Sequence, residues 1–225
     1  MNQPDIVTPT RLRTPKSAAI AGILFSVLLT TAFWLLRLYV PTDPHETGDW
    51  LESGSRGYIV IALNLIPVAG ISFLWFIGVL RDRLGAAEDR FFATVLFGSG
   101  LLMLSTLFIT AAMAGGLIVA FASQPEAVLN SAAFHFARAA TYSVMNVYTV
   151  KMAGVFMIST STIIVYTEIV PRWIAYVGYA LALFIFFGGW YFERAFVCFP
   201  AWVFLISAYI LTENAFRARS TRGAG

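Results

Sequence analysis

The chain has 225 residues, of which 59% are hydrophobic and only 12% charged, with a mean hydropathy of +0.76 and a formal net charge of +3. A soluble domain carries about 25% charged residues, so this chain has too little polar surface to coat a globule in water, and a membrane protein is expected. The small basic excess forms no cluster interleaved with exposed aromatics, which excludes a nucleic-acid surface.

Six apolar blocks follow one another, at about residues 17–40, 57–80, 91–122, 133–167, 173–190 and 195–211. Each approaches or exceeds the roughly 17–25 residues of a spanning helix, whereas a β-barrel alternates over about 10. The expected fold is all-α, six transmembrane helices in one bundle between a tail at 1–16 and a tail at 213–225. The first block is too long for the roughly 7–15-residue core of a cleavable signal, and no small-x-small site follows it. Its Ala18, Gly22, Ser26 and Thr30 recur every fourth residue, a spacing that lets helices approach closely in lipid.

The first loop, PTDPHETGDWLESGSR, sets Asp43, Glu46, Asp49 and Glu52 against Arg56. It reads either as an acidic collar for cations or as an outward loop that simply needs no basic charge. In the second block, NLIPVAG places Asn64 three residues before Pro67. Proline removes a backbone bond and bends a helix, and Asn64 could serve a freed carbonyl, a neighbouring helix or a substrate. The third block carries Ala111, Ala112, Gly115 and Gly116, a second small-residue pattern, and its GSGLL at Gly98 reads as packing rather than a nucleotide loop.

The fourth block interrupts its apolar run with polar groups. At 100° per residue, His135, Arg138, Tyr142, Asn146, Thr149, Ala153, Phe156 and Thr160 share a wedge of about 80°, and Lys151 points nearly opposite. Counted from Ser131 to Tyr166, the block makes about 54 Å of helix against a hydrocarbon core of about 30 Å. His135 and Arg138 are therefore expected at or beyond the outer headgroups, near Arg37. Lys151 lies close to mid-helix, where a lysine costs about 2.5–3.5 kcal/mol to insert; it faces protein or a wet cavity, or it snorkels to an interface. The hydroxyls of Ser159, Thr160, Ser161 and Thr162 are expected to bond back to helix carbonyls. Pro200, in the sixth block, invites the same kink reading as Pro67.

Basic residues set the orientation. Arg11, Arg13, Lys16, Arg81, Arg83, Arg90, Arg172, Arg217, Arg219 and Arg222 fall on one side of six crossings, and Arg56 and Arg194 on the other. Both termini are expected to be cytoplasmic, in a bacterial plasma membrane. The two three-helix halves resemble each other only in hydropathy, a weak sign of an inverted repeat.

The usual chemistry is missing. Two histidines and one cysteine make no usual zinc site without many carboxylates, and no HExxH, G-x-S-x-G or P-loop occurs. No catalytic residue, metal or cofactor is assigned. Cys198, alone, forms no intramolecular disulfide. No carboxylate lies well inside a block: Glu126, Glu168, Glu193 and Glu213 stand at loops or ends, which disfavours a proton- or sodium-coupled carrier.

The stretch ALNLIPVAGISFLWFIGVLRDRLGAAEDRFFATVLFGSGLL, residues 62–102, and the segment PRWIAYVGY from Pro171 resemble parts of uncharacterised small multi-pass membrane proteins of actinobacteria. The resemblance covers under a third of the chain; it implies a six-helix membrane fold and carries no activity or site residue. Three functional expectations remain. The first is a transport or permeation protein for a neutral or anionic solute, with Lys151, Asn146, Tyr142, Asn64, Arg138 and His135 as pathway candidates. The second is a non-catalytic accessory or anchoring subunit of a larger membrane complex; the expected partners are the lipid bilayer and either further copies of the chain, as a homo-oligomer, or such a complex. The third is lipid or quinone binding or modification.

Overall fold

The computed structural model describes residues 15–40, 54, 56–84, 90–123, 125–129, 131–167, 170–187 and 197–222, and no strand occurs among them. The helices are α1 (Pro15–Tyr39), α2 (Arg56–Leu84), α3 (Arg90–Ser123), the short α4 (Pro125–Leu129), α5 (Ala132–Ser143), α6 (Val150–Thr167), α7 (Arg172–Phe187) and α8 (Cys198–Arg222). A π-helical turn, Val144–Thr149, joins α5 to α6 without a break. Four of the resulting rods are long and apolar enough to cross a membrane: Ala19–Tyr39, Arg56–Arg81, Phe91–Ser123 and Ala132–Thr167. The apolar parts of the last two helices, Arg172–Phe187 and Cys198–Glu213, are shorter. At 1.5 Å per residue each is about 24 Å long, somewhat less than a hydrocarbon core of about 30 Å.

Apolar side chains gather into two clusters, and their membership shows how the rods overlap. The larger draws on α1, α2, α3, α6, α7 and α8, and the smaller joins Ile59, Leu117, Ile118, Phe121 and Phe134. The second therefore lies where α2 begins, α3 ends and α5 begins, past the ends of α7 and α8. The bundle is six helices thick over part of its length and thinner beyond. Four rings tie the six-helix part: Phe25 lies 4.6 Å from Phe73, Phe73 5.2 Å from Phe156, and Phe199 within 5.6–5.8 Å of all three. One ring comes from each of α1, α2, α6 and α8, and such pairs add about 0.5–1.5 kcal/mol each beyond area burial.

Two glycines set how closely the helices approach. A Cβ on Gly22 of α1 would collide with the Ser207 hydroxyl of α8 and stand 2.8 Å from the Phe76 ring. On Gly178 of α7 it would meet the Ser161 hydroxyl of α6 and stand 2.8 Å from the Trp202 indole. Both positions require glycine because a neighbour occupies the Cβ volume. The small-residue spacing of α1 thus serves packing inside the bundle, where Ser26 also bonds back to the Gly22 carbonyl at 2.8 Å. The pattern in α3 differs. Gly116 is exposed with nothing within 4 Å of an added Cβ, and Gly115 meets only Leu63, at 3.9 Å.

The prolines behave differently from one another. Pro67 is carried inside α2, which continues through it. Pro200 is the third residue of α8, in the first turn, where backbone donors have no intrahelical partner to lose. The kink expected there is replaced by a helix start. α8 also runs on to Arg222, through residues that the hydropathy pattern assigned to a tail. The acids of the first loop, Asp43, Glu46, Asp49 and Glu52, lie outside the described residues, as does Arg194.

Candidate functional site: the polar helix and its latch

The rod Ala132–Thr167 begins with a complete cap. Ser131 accepts from the Phe134 backbone N–H at 3.1 Å and donates to the Val128 carbonyl at 2.7 Å. Its inward line then runs through Phe134, Arg138, Thr149, Ala153, Phe156 and Thr160, all buried. His135, Tyr142 and Asn146 are exposed. The stripe expected from a uniform helix therefore divides at the π turn. A π turn closes i→i+5 bonds and accommodates one extra residue, which turns the preceding helix relative to the following one by up to about 100°. Thr149 marks the turn, its hydroxyl donating to the Val144 carbonyl five residues back at 3.0 Å. Asn146 donates to the Tyr142 carbonyl at 3.0 Å, leaving its carboxamide on the outside of the rod.

Arg138 is 6% exposed, packed among side chains at this end of the bundle. His135 stays at the surface, its ring edge-on to Phe134 at 5.6 Å. Nearby, the Arg56 guanidinium stands over the Phe121 ring at 5.5 Å.

Lys151 is half-buried, and its Nζ donates to the backbone carbonyl of Phe186. That carbonyl belongs to the last turn of α7, whose final four C=O groups have no intrahelical acceptor role to fill. An ammonium is suited to the end because the helix dipole is negative there. The same ammonium stands 5.2 Å from the centre of the Phe186 ring. Gly154, one turn along α6, makes room for that ring: a Cβ there would lie 2.7 Å from it. Lys151 and Gly154 together grip the end of α7. A charge-assisted bond of this kind contributes about 1.5–3 kcal/mol.

Asn64 is exposed on α2, and its Nδ2 donates to the Val60 carbonyl of its own helix at 2.8 Å. It does not serve the carbonyl of Leu63, the one that Pro67 frees four residues back. The structure thus leaves Lys151, Asn64 and Asn146 each bonded to backbone in a separate place, and does not bring the six pathway candidates into one lining.

The hydroxyl run of α6 behaves as expected at three of its four positions. Ser159, Thr160 and Thr162 donate to carbonyls four residues back at 2.8–3.0 Å. Thr162 also shares a 2.7 Å bond with the Tyr179 hydroxyl of α7. Ser161 faces Gly178 instead and, with Ser207, is buried without a hydrogen-bond partner among the described residues.

Sequence reasoning missed Phe186, Gly154 and a cavity of about 20 Å³ beside the π turn, lined by Phe33, Met103, Met145, Thr149, Ile185 and Phe199 among others. Gly188–Gly189 was an available stop signal for the end of α7. Nothing in the sequence marked a carbonyl as the partner of Lys151. The chain matches no protein-family model, no curated protein and no solved structure.

Proposed function

We propose that the chain is a six-crossing helical protein of a bacterial plasma membrane, with both termini cytoplasmic, acting as a non-catalytic accessory or anchoring subunit. Exposed aromatics support the placement. Tyr166, Trp173, Tyr176 and Phe91 ring the end of the bundle where the basic residues Arg81 and Arg172 lie, and Trp34, Tyr58, Tyr142 and Tyr148 ring the other level. Aromatic girdles form at both membrane interfaces. Tyr148 and Tyr166 are separated by about 27 Å of helix, close to the hydrocarbon thickness of about 30 Å. With these limits Lys151 lies about 22 Å from the inner girdle, within the layer.

The observation that carries the accessory reading is the latch. The one lysine at membrane depth is committed to holding α7 against α6, a structural use, while the carboxamides Asn64 and Asn146 look outward where another chain can meet them. Isolation from native membranes in mild detergent, followed by mass spectrometry, tests this. A stoichiometric partner protein is expected; a chain that purifies alone and stable counts against it.

A transport role for a neutral or anionic solute is the second reading. Its support is the π turn, the latch and the small cavity, all at one level, since irregular backbone in transporters borders a binding cavity. Solute flux in proteoliposomes that changes in Thr149→Val, with the bundle intact, would favour it.

A further inference from the structure

The rod Ala132–Thr167 has a firm half and a lightly seated half, joined at the π turn. On one side of the turn, half of the 18 residues of α6 are buried, and Lys151 ties α6 to the end of α7. On the other side, Phe134 and Arg138 are the only buried residues among the 12 of α5. The junction is not closed by regular bonding. The Val150 N–H is shared between the Met145 carbonyl, five residues back, and the Val147 carbonyl, three back. It passes over the Asn146 carbonyl that an α-helix would use. The Thr149 hydroxyl adds its bond to the Val144 carbonyl.

The sequence of α5 carries two faces that can continue the buried face of α6. In the structure the inward line is Phe134 and Arg138, buried, with Thr141 and Met145 half-buried, while His135, Tyr142 and Asn146 are exposed. In a rod that is α-helical throughout, steps of 100° instead put Arg138 and Tyr142 in line with Thr149, Phe156 and Thr160, with His135 and Asn146 beside them. The two faces differ by roughly the turn of one residue, which is what a π turn accommodates. Packing in the observed register uses the first face and gives no reason for the second, a polar line in phase with α6. The inner side of the turn also has room. The cavity of about 20 Å³ is walled by Met145 and Thr149 of the turn and by Val150 and Ala153 of α6.

We infer that the π turn is a hinge with two registers, about which α5 rotates while α6, α7 and the Lys151 latch stay in place. Closing the turn as α-helix gives the Val150 N–H a single acceptor, the Asn146 carbonyl. It rotates α5 by up to about 100° and brings Tyr142 in beside Arg138, over the cavity. The inference rests on the geometry of the rod and on neither reading of the function.

The test uses the full-length chain carrying Cys198→Ser in liposomes, spin-labelled through Phe136→Cys on α5 and Val119→Cys on α3, both exposed positions. Distances are read by double electron–electron resonance. A second pair, Val119→Cys with Leu183→Cys on α7, monitors the fixed part. Rotation of α5 moves its label by about 8 Å or more, so two distances are expected for the first pair and one for the second. Thr149→Val removes the hydroxyl bond to the Val144 carbonyl and should raise the second population about two- to tenfold. Ala153→Val occupies the cavity that Tyr142 needs and should lower it. One distance for the α5 pair in all three proteins, or two that neither substitution shifts, would overturn the hinge. So would an equal spread of distances in both pairs, since the motion would then belong to the whole bundle.

Discussion

The rods Phe91–Ser123 and Ala132–Thr167 are neighbours of similar length with opposite relations to their surroundings. The first is the more apolar, yet only 28% of its most apolar 18-residue stretch is buried; the corresponding stretch of the second, which carries Lys151 and the hydroxyl run, is 61% buried. In water the order would be reversed, because apolar surface is driven inside. In lipid the outer surface is already apolar, so association depends on close packing and on satisfying polar groups internally. The difference identifies the polar helix as the spine of the bundle and the apolar one as part of its coat.

The comparison breaks most severely where the spine has no spare volume. Gly178→Leu would force a side chain into the space of the Ser161 hydroxyl and the Trp202 indole, which also donates to the Ile174 carbonyl at 3.2 Å. A loss of about 4 kcal/mol or more is expected, measured by unfolding in mixed micelles. The same change at Gly116 on the coat, where nothing lies within 4 Å, should cost less than about 1 kcal/mol.

Removing one residue from the π turn comes next. Deletion of Val147, an exposed member, would let Tyr142–Ala153 close as ordinary α-helix and turn α5 out of its seat. Phe134 would leave the smaller apolar cluster, at about 3 kcal/mol by analogy with truncating a buried aromatic. Hydrogen exchange should then quicken in α5 but not in α7. Unchanged exchange in α5 would show that the turn does not set its orientation.

Much of this organisation was legible in the sequence. Continuous apolar runs gave the six helical blocks, since length and hydropathy are local properties. The facing of Thr149, Ala153, Phe156 and Thr160 followed from their 3.6-residue period. The period failed above Thr149 because a π turn leaves no compositional mark: of the residues placed on that face, Arg138 is buried while His135, Tyr142 and Asn146 are exposed, and Met145 lines the cavity beside the turn. Lys151 was recognised as costly, but its partner is a backbone carbonyl 35 residues away, and a carbonyl has no letter in the sequence. Likewise Gly154 reads as any small residue until the Phe186 ring is seen against it.

Lys151→Met sharpens the role of the spine at smaller cost. The unbranched apolar chain keeps the packing stem but leaves the Phe186 carbonyl without its donor, for about 1.5–3 kcal/mol. The loss should localise: exchange should quicken at Leu183–Phe187 while the Phe25–Phe73–Phe156–Phe199 node keeps its protection. If Lys151 snorkelled instead of latching, Lys151→Met would leave α7 unchanged.

The smallest effect separates coat from spine within a single helix turn of α3. Leu102 is 55% exposed and Leu104 is 3% exposed. Leu102→Ala exchanges lipid-facing methyls for lipid, so packing within the bundle is untouched and stability should move by no more than about 0.5 kcal/mol. Leu104→Ala removes the same atoms from a position that cannot refill and should cost about 2–5 kcal/mol. Near-equal losses at the two sites would mean that Leu102 also lies against protein. The outer face of α3 would then belong to an interface, and its apolar composition could no longer be attributed to lipid.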